Sequence, residues 1–256
     1  FPLGAAVTAV LLTHGVNAWL TLPIALVIGA LAGLCTGLIH VRAKVRDLLA
    51  GIITMTALYS VNLMVMGKPN INFFKEKTLF TAAEAMPGGF GSLLQAAAIT
   101  AVLCVLLVLF LRTQLGLSLR ATGDNRDMVS ASSINPAFTT TVGLCLSNAV
   151  VALSGALIAQ YQKFADNTLG TGMVVIGLAS LIIGEVLFGR GGPHALAKGV
   201  LAATVGIIVA AAIAVNIDAK NMKLVSALIV AAAISYPAIR DKVLFYRKRR
   251  EANRNV

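Results

Sequence analysis

The sequence predicts an all-α fold, a polytopic transmembrane helical bundle with at least eight spans. Three observations carry that prediction. Mean hydropathy is +0.87, and of 256 residues 58% are hydrophobic and only 12% charged. A soluble domain carries about 25% charged residues; a chain this apolar cannot clothe its surface in polar groups, so its solvent is lipid. The apolar residues come in continuous runs close to the roughly 20 residues that a helix needs to cross a bilayer. Lys and Arg gather in alternate gaps between those runs, as they do in cytoplasmic loops. A soluble enzyme, a disulfide scaffold and a disordered chain are excluded together.

Taken in order, the runs are a partial one from Phe1 to Thr13, then Leu20–Val41, Leu48–Met66, Ser92–Leu111, Ala137–Gln160, Gly172–Gly189, Ala195–Val215 and Met222–Ile239. They are too long for barrel strands and lack a two-residue period. The chain begins at Phe1, and an upstream piece is expected. Residues 1–256 read as one transmembrane domain with a polar segment at 112–136 and a basic tail at 240–256.

Orientation follows from the cations. One set of gaps holds Arg42, Lys44, Arg46, Arg112, Arg120, Arg126, Arg190, Lys198 and the tail residues Arg240, Lys242, Arg247, Lys248, Arg249, Arg250 and Arg254. The other holds Lys68, Lys75, Lys77, Lys163, Lys220 and Lys223. The richer set is assigned to the cytoplasm, which leaves the C-terminus inside. The net charge of +11 is thus a topology signal. It is not read as nucleic-acid binding, because no aromatic residues interleave with the basic ones.

Within the runs, Ala25, Gly29, Gly33 and Gly37 make a small-residue face suited to close helix packing or to a subunit seam. Cys35, Cys104 and Cys145 lie in apolar runs and read as small hydrophobes. No metal-ligand cluster and no HExxH, GxSxG or Walker A motif is present. His14, His40 and His194 fall at predicted membrane edges. Glu185, about a turn from the cytoplasmic end of its run, reads either as a structural ion pair with Arg190 or a neighbouring helix, or as part of an inner gate. Tyr59, Asn62 and Met66 share a helical face by spacing and, with Asn148, are candidates for a translocation path; interhelical glue is the alternative. The outer loop Gly67–Gly91 carries Phe73, Phe74 and Phe80 among mixed charges, a pattern fit for interfacial anchoring or for an outer partner.

The most informative stretch is Gly116–Asn135, GLSLRATGDNRDMVSASSIN. Asp124 or Asn125 can cap a short helix. Met128, Ala131 and Ile134 then recur on one face, Gly123 suits a turn, and Pro136 restarts the chain into the next span. A short amphipathic helix between two spans can serve as a lever for a soluble partner, or lie on lipid.

This stretch resembles the cytoplasmic coupling segment of permease subunits of bacterial ABC importers of the branched-chain amino-acid, ribose and nucleoside type. Their pattern, GLxLRAxGxNxxxAxxxGIN, is met at Gly116, Leu117, Leu119, Arg120, Ala121, Gly123, Asn125, Ile134 and Asn135, and departs at Val129, where that group carries Ala, with Ala131 two residues on, and at Ser133, where it carries Gly. The run GMVVIGLASLIIGEVLFG, from Gly172 to Gly189, resembles a subgroup linked with aromatic amino-acid uptake. The resemblance implies a non-catalytic translocation subunit in a bacterial plasma membrane. It implies a second permease copy, two ATPase subunits that carry ATP and Mg, an external solute-binding protein, and ATPase coupling through Arg120, Gly123, Asp124, Asn125, Asp127, Met128, Ala131 and Ile134. The chain itself is expected to bind no cofactor and no nucleic acid. The competing reading is a secondary transporter or channel, which would need an ion-coupling site beyond Glu185. In intact cells, a membrane-impermeant thiol reagent is expected to label a cysteine placed in the Gly67–Gly91 loop and to spare one placed after Ile239; the reverse pattern overturns the orientation.

Overall fold

A computed structural model describes residues 1–81 and 90–170. The predicted spans from Gly172 onward, Glu185, Arg190 and the basic tail lie outside the described residues. The elements are α1 (Pro2–Thr13), α2 (Ala18–Arg42), α3 (Asp47–Met66), β1 (Asn70–Asn72), α4 (Phe90–Arg112), α5 (Gln114–Asp124), α6 (Arg126–Ala131), α7 (Pro136–Gln162) and β2 (Phe164–Asp166). Helices α2, α3, α4 and α7 are each long and apolar enough to cross a membrane, and α1 is a shorter apolar helix. A helix satisfies its backbone bonds within itself, which is the condition lipid imposes; α2 gives up one such bond at Pro23, which has no N–H to donate. Large side chains such as Trp19, Leu31, Met64 and Val102 stay exposed, as a surface facing hydrocarbon permits.

The small-residue face of α2 closes against α7. A Cβ placed on Gly29 would meet the Ala152 Cβ at 2.5 Å and the Asn148 carbonyl at 2.7 Å; on Gly33 it would collide with the Leu144 carbonyl, and on Gly37 with the Thr141 methyl at 2.9 Å. The face is therefore an intrachain seam among the described residues. Helix α1 lies on the same partner, with Gly4 against the backbone of Ala152 and Gly155 against that of Phe1. Helix α3 packs on α1 and α2, and Thr36 donates to Thr54 at 3.0 Å across the buried α2–α3 contact.

At one end of the bundle the chain makes structure that hydropathy does not foretell. Gly67 ends α3 with φ +64°, and Lys163 ends α7 with φ +58°. The segments that follow pair antiparallel, Asn70 opposite Asp166 and Asn72 opposite Phe164. Three residues per strand are too few for a period-2 pattern to register. Phe73 and Phe80 do not anchor to an interface: both are buried with Leu12, Met66 and Ala159, and only Phe74 of the three is exposed. Gln160, fully buried, ties this end together. Its Oε1 accepts from the Leu79 N–H at 3.1 Å, and its Nε2 donates to the Thr21 hydroxyl at 2.8 Å and the Ala18 carbonyl at 3.3 Å.

The seam makes a stability prediction. Gly33→Val forces a branched side chain into the α7 backbone, and such overpacking costs about 1–3 kcal/mol. Thermal unfolding in detergent should show a lowered midpoint. Gly51, whose added Cβ would meet nothing within 4 Å, is the control. Gly51→Ala should leave the midpoint unchanged or raise it, since glycine inside a helix costs roughly 0.5–1 kcal/mol relative to alanine.

Candidate functional site: the linker between α4 and α7

The linker is two helices meeting at one residue. Thr113 caps α5 by accepting from the Gly116 N–H at 3.3 Å. Gly116 is required here: a Cβ would collide with Leu111 and sit 2.5 Å from the Phe110 carbonyl, so the corner leaving α4 closes only on a bare backbone. Helix α5 then lies on the first turns of α7. The Thr122 and Thr139 hydroxyls meet at 2.9 Å in a buried contact, and the space over Gly143 is taken by the Leu119 side chain.

Asn125 ends α5 and starts α6. Its Oδ1 accepts from the Asp127 N–H at 3.0 Å and the Met128 N–H at 3.1 Å, so two orphan donors of the new helix are met by one side chain. Asp124, the other cap candidate, is instead the last residue of α5. Gly123 does not make a turn: it lies inside α5, and an added Cβ there would meet nothing within 4 Å. Helix α6 is shorter than the sequence suggests and stops at Ala131, before Ile134. It is held down by Val129, which is 2% exposed, while Met128 is 63% exposed; the one-face spacing found the outward residues and missed the anchor. Arg120, Gly123, Asp124, Asn125, Asp127, Met128 and Ala131 are all exposed, and Ile134 is partly buried.

The stop after α6 falls where the sequence departs from the family pattern. The Ile134 N–H bonds the Val129 carbonyl at 3.3 Å and the Ser133 N–H bonds the Ser130 carbonyl at 3.2 Å, the paired bonds of a Schellman ending. That ending puts Ser133 in the left-handed region, at φ +61°. Glycine takes that conformation without a Cβ penalty, which is the physical reason for glycine at this place in the pattern. Asn135 then caps α7, accepting from the Ala137 N–H at 3.0 Å, with Pro136 at the first helical position, where no N–H is missed.

The path candidates are not brought together. Tyr59 is 52% exposed, whereas Asn62 and Met66 are buried and Met66 belongs to the core cluster with Phe73 and Phe80. Asn148 is on α7, which packs chiefly on α2 and α1, and its amide donates to the Leu144 carbonyl of its own helix at 2.9 Å. Asn167, which the sequence did not single out, donates to the Tyr59 carbonyl at 3.1 Å. The Oδ1 atoms of Asn62 and Asn167 are buried without a hydrogen-bond partner among the described residues. Beside the linker, a cavity of about 560 Å³ is lined by Leu119, Thr122, Gly123, Asp124, Arg126 and Ser147 among others. No group of three or more His, Cys, Asp or Glu side chains able to hold a metal occurs among the described residues.

An apolar bundle of spanning helices, interrupted by a polar two-helix linker fixed to one span, defines a polytopic transport-type membrane protein. The profile of the family described as the branched-chain amino acid transport system permease component matches residues 1–238, and the chain belongs to that family. It is 40% identical over 188 residues to the tyrosine transport system permease protein of Clostridioides difficile, covering 73% of this chain and 62% of that one. It is 30% identical over 242 residues to an uncharacterised protein of Rickettsia prowazekii, covering 92% and 84%. It is 30% identical over 206 residues to the galactose/methyl galactoside import permease of Salmonella typhimurium, covering 74% and 61%. The chain thus spans about three fifths of the length of the first and third of these relatives. No solved structure matches it significantly.

The linker geometry is testable by amide hydrogen exchange, which reads local opening. Ser133→Gly should raise protection of the amides from Met128 to Ile134, because it removes a left-handed penalty of roughly 1–2 kcal/mol, less the entropy glycine loses. Asn125→Ala should lower that protection by the equivalent of about 0.5–2 kcal/mol, the worth of an N-cap. Equal protection in both variants would mean that neither the cap nor the left-handed exit governs the local stability of α6.

Proposed function

We propose that this chain is the membrane-spanning permease subunit of an ATP-driven importer. It moves a small polar solute inward and draws energy from a separate ATPase. Family membership supports the class. The single structural observation that carries the mechanism is the attachment of the linker: α5 and α6 present exposed Arg120, Asp124, Asp127 and Met128 on one side and are bonded to the start of α7 through Thr122 and Thr139 on the other. A partner that grips the exposed side moves α7, and α7 carries α1 and α2 with it through glycine contacts. In the assembly, two copies of the permease pair, two ATPases bind ATP and Mg, and a solute-binding protein delivers the solute from outside. The chain crosses the plasma membrane eight or more times, with α5, α6 and the C-terminus in the cytoplasm. The solute is an amino acid, with an aromatic one favoured by likeness to a tyrosine transport permease and by the Gly172–Gly189 run.

Reconstitution with ATPase and binding protein tests this reading. Asn125→Leu should leave insertion and assembly intact while uptake falls sharply and ATP hydrolysis loses its response to the loaded binding protein. Gly123→Val is a second probe, because a side chain there enters open space and leaves the fold undisturbed. Normal uptake and normal stimulated hydrolysis in both variants would remove the linker from the coupling route. Uphill uptake by the single chain on an ion gradient would replace the proposal with a secondary transporter.

A further inference from the structure

A second cavity, of about 440 Å³, lies where α2 ends and α7 begins, and is lined by His40, Val41, Lys44, Val45, Arg46, Arg126, Pro136, Ala137 and Thr140. Its charge is one-sided. Lys44, Arg46 and Arg126 bring three cations from two separate parts of the chain, the α2–α3 turn and α6, and no carboxylate is among the described lining residues. Asp124 lines the neighbouring cavity, which shares Arg126 and Thr140 with this one. The three cations are exposed and water screens them from one another, but an anion entering the concavity would meet a field of one sign.

Two further features point the same way. The first turn of α7 forms one wall, so the positive end of a 27-residue helix faces the space and adds to the attraction for an anion. Lys44 is held with φ +52°, a left-handed conformation that a side chain bears at a cost and that glycine would bear freely. Arginine forks match phosphate oxygens two at a time, and the Thr140 hydroxyl adds a neutral donor. Val41, Val45, Pro136 and Ala137 supply an apolar floor. The cavity is at the ends of two spans, the level at which headgroups lie.

We propose that this cavity is a binding site for a phosphate-bearing anion, held by Lys44, Arg46 and Arg126. Two sources share that chemistry: the headgroup of an anionic phospholipid and free phosphate. The site does not depend on the transport reading, since it requires only the ends of α2 and α7 and the start of α6.

Native mass spectrometry of the full chain, released from micelles containing equal phosphatidylglycerol and phosphatidylcholine, reads the site directly. Phosphatidylglycerol should be retained preferentially. Arg46→Gln and Arg126→Gln should each lower that retention roughly tenfold, the effect of losing one charge-assisted contact. Lys68→Gln removes the same charge from an exposed position outside the cavity and should change nothing. Lys44→Gly separates a binding role from a structural one: it relieves the left-handed turn, so thermal stability should hold or rise while retention falls. Displacement of the lipid by millimolar inorganic phosphate would assign the site to free phosphate, and persistence of the lipid would assign it to the headgroup. Equal retention of both lipids with no phosphate bound, or equal loss in Lys68→Gln and Arg46→Gln, would overturn the proposal.

Discussion

The contact on which the rest of this structure depends is the approach of α2 to α7 at backbone distance. In lipid, burying an apolar side chain between helices gains nothing from water, so association rests on close van der Waals packing. Gly29, Gly33 and Gly37 supply it, one turn apart, against Ala152, Cys145 and Thr141. Any one of them bearing a side chain would hold the helices apart for its neighbours as well. Helix α1 repeats the device through Gly4 and Gly155, so α7 becomes the common partner of both N-terminal helices. Polar bonds then fix what packing alone leaves free to slide: Gln160 at one end of α7 and Thr139 at the other.

The spans were legible because lipid imposes a single demand, a continuous apolar run of sufficient length, and the described runs obey it to within a few residues at each end. The glycine face of α2 was legible too, but not its partner. Small-xxx-small spacing says that something comes close and is silent on what. The elements that escaped prediction are those set by few residues. Strands β1 and β2 are too short for periodicity. Phe73 and Phe80 resemble interfacial anchors in composition, and only the surrounding alanines, Leu12 and Met66 make them core. Gln160 is legible as an in-span amide that bonds across helices, but not what it bonds to, because its three partners are 81 to 142 residues away in sequence.

In the linker, the sequence located the cap and misjudged the turns. Asn125 was readable because capping is local chemistry, decided by the residue and the amides two and three positions on. Gly123 looked like a turn because glycine usually marks one, yet it continues α5. The chain reverses at Ser133, where the side chain offers no sign of a left-handed backbone. A local rule broken without compensation usually marks a place where function or history overrides stability. Here the cost, roughly 1–2 kcal/mol, is offset by two Schellman bonds and by the Asn135 cap that follows at once.

Under the coupling proposed above, these features would determine how a push on the linker is transmitted. A helix of six residues is marginal alone and would bend under load before moving a span. Helix α6 avoids this by sharing Asn125 with α5, which in turn is bolted to α7 at Thr122 and Leu119. The stiff unit is therefore α5, α6 and the first turns of α7 together, with the bare-backbone corner at Gly116 as the point where α4 is left behind. Force applied to the exposed faces of α5 and α6 has two exits, the Gly116 corner and the glycine seam. The seam runs over three glycines, Gly29 to Gly37, and the corner is a single turn, so under the proposed coupling α7 would move with α1 and α2 and the angle to α4 would change. An alternating-access motion built this way needs no charged group inside the spans, in keeping with α2 and α7, which between them carry only Arg42, at the very end of α2, and no Asp, Glu or Lys.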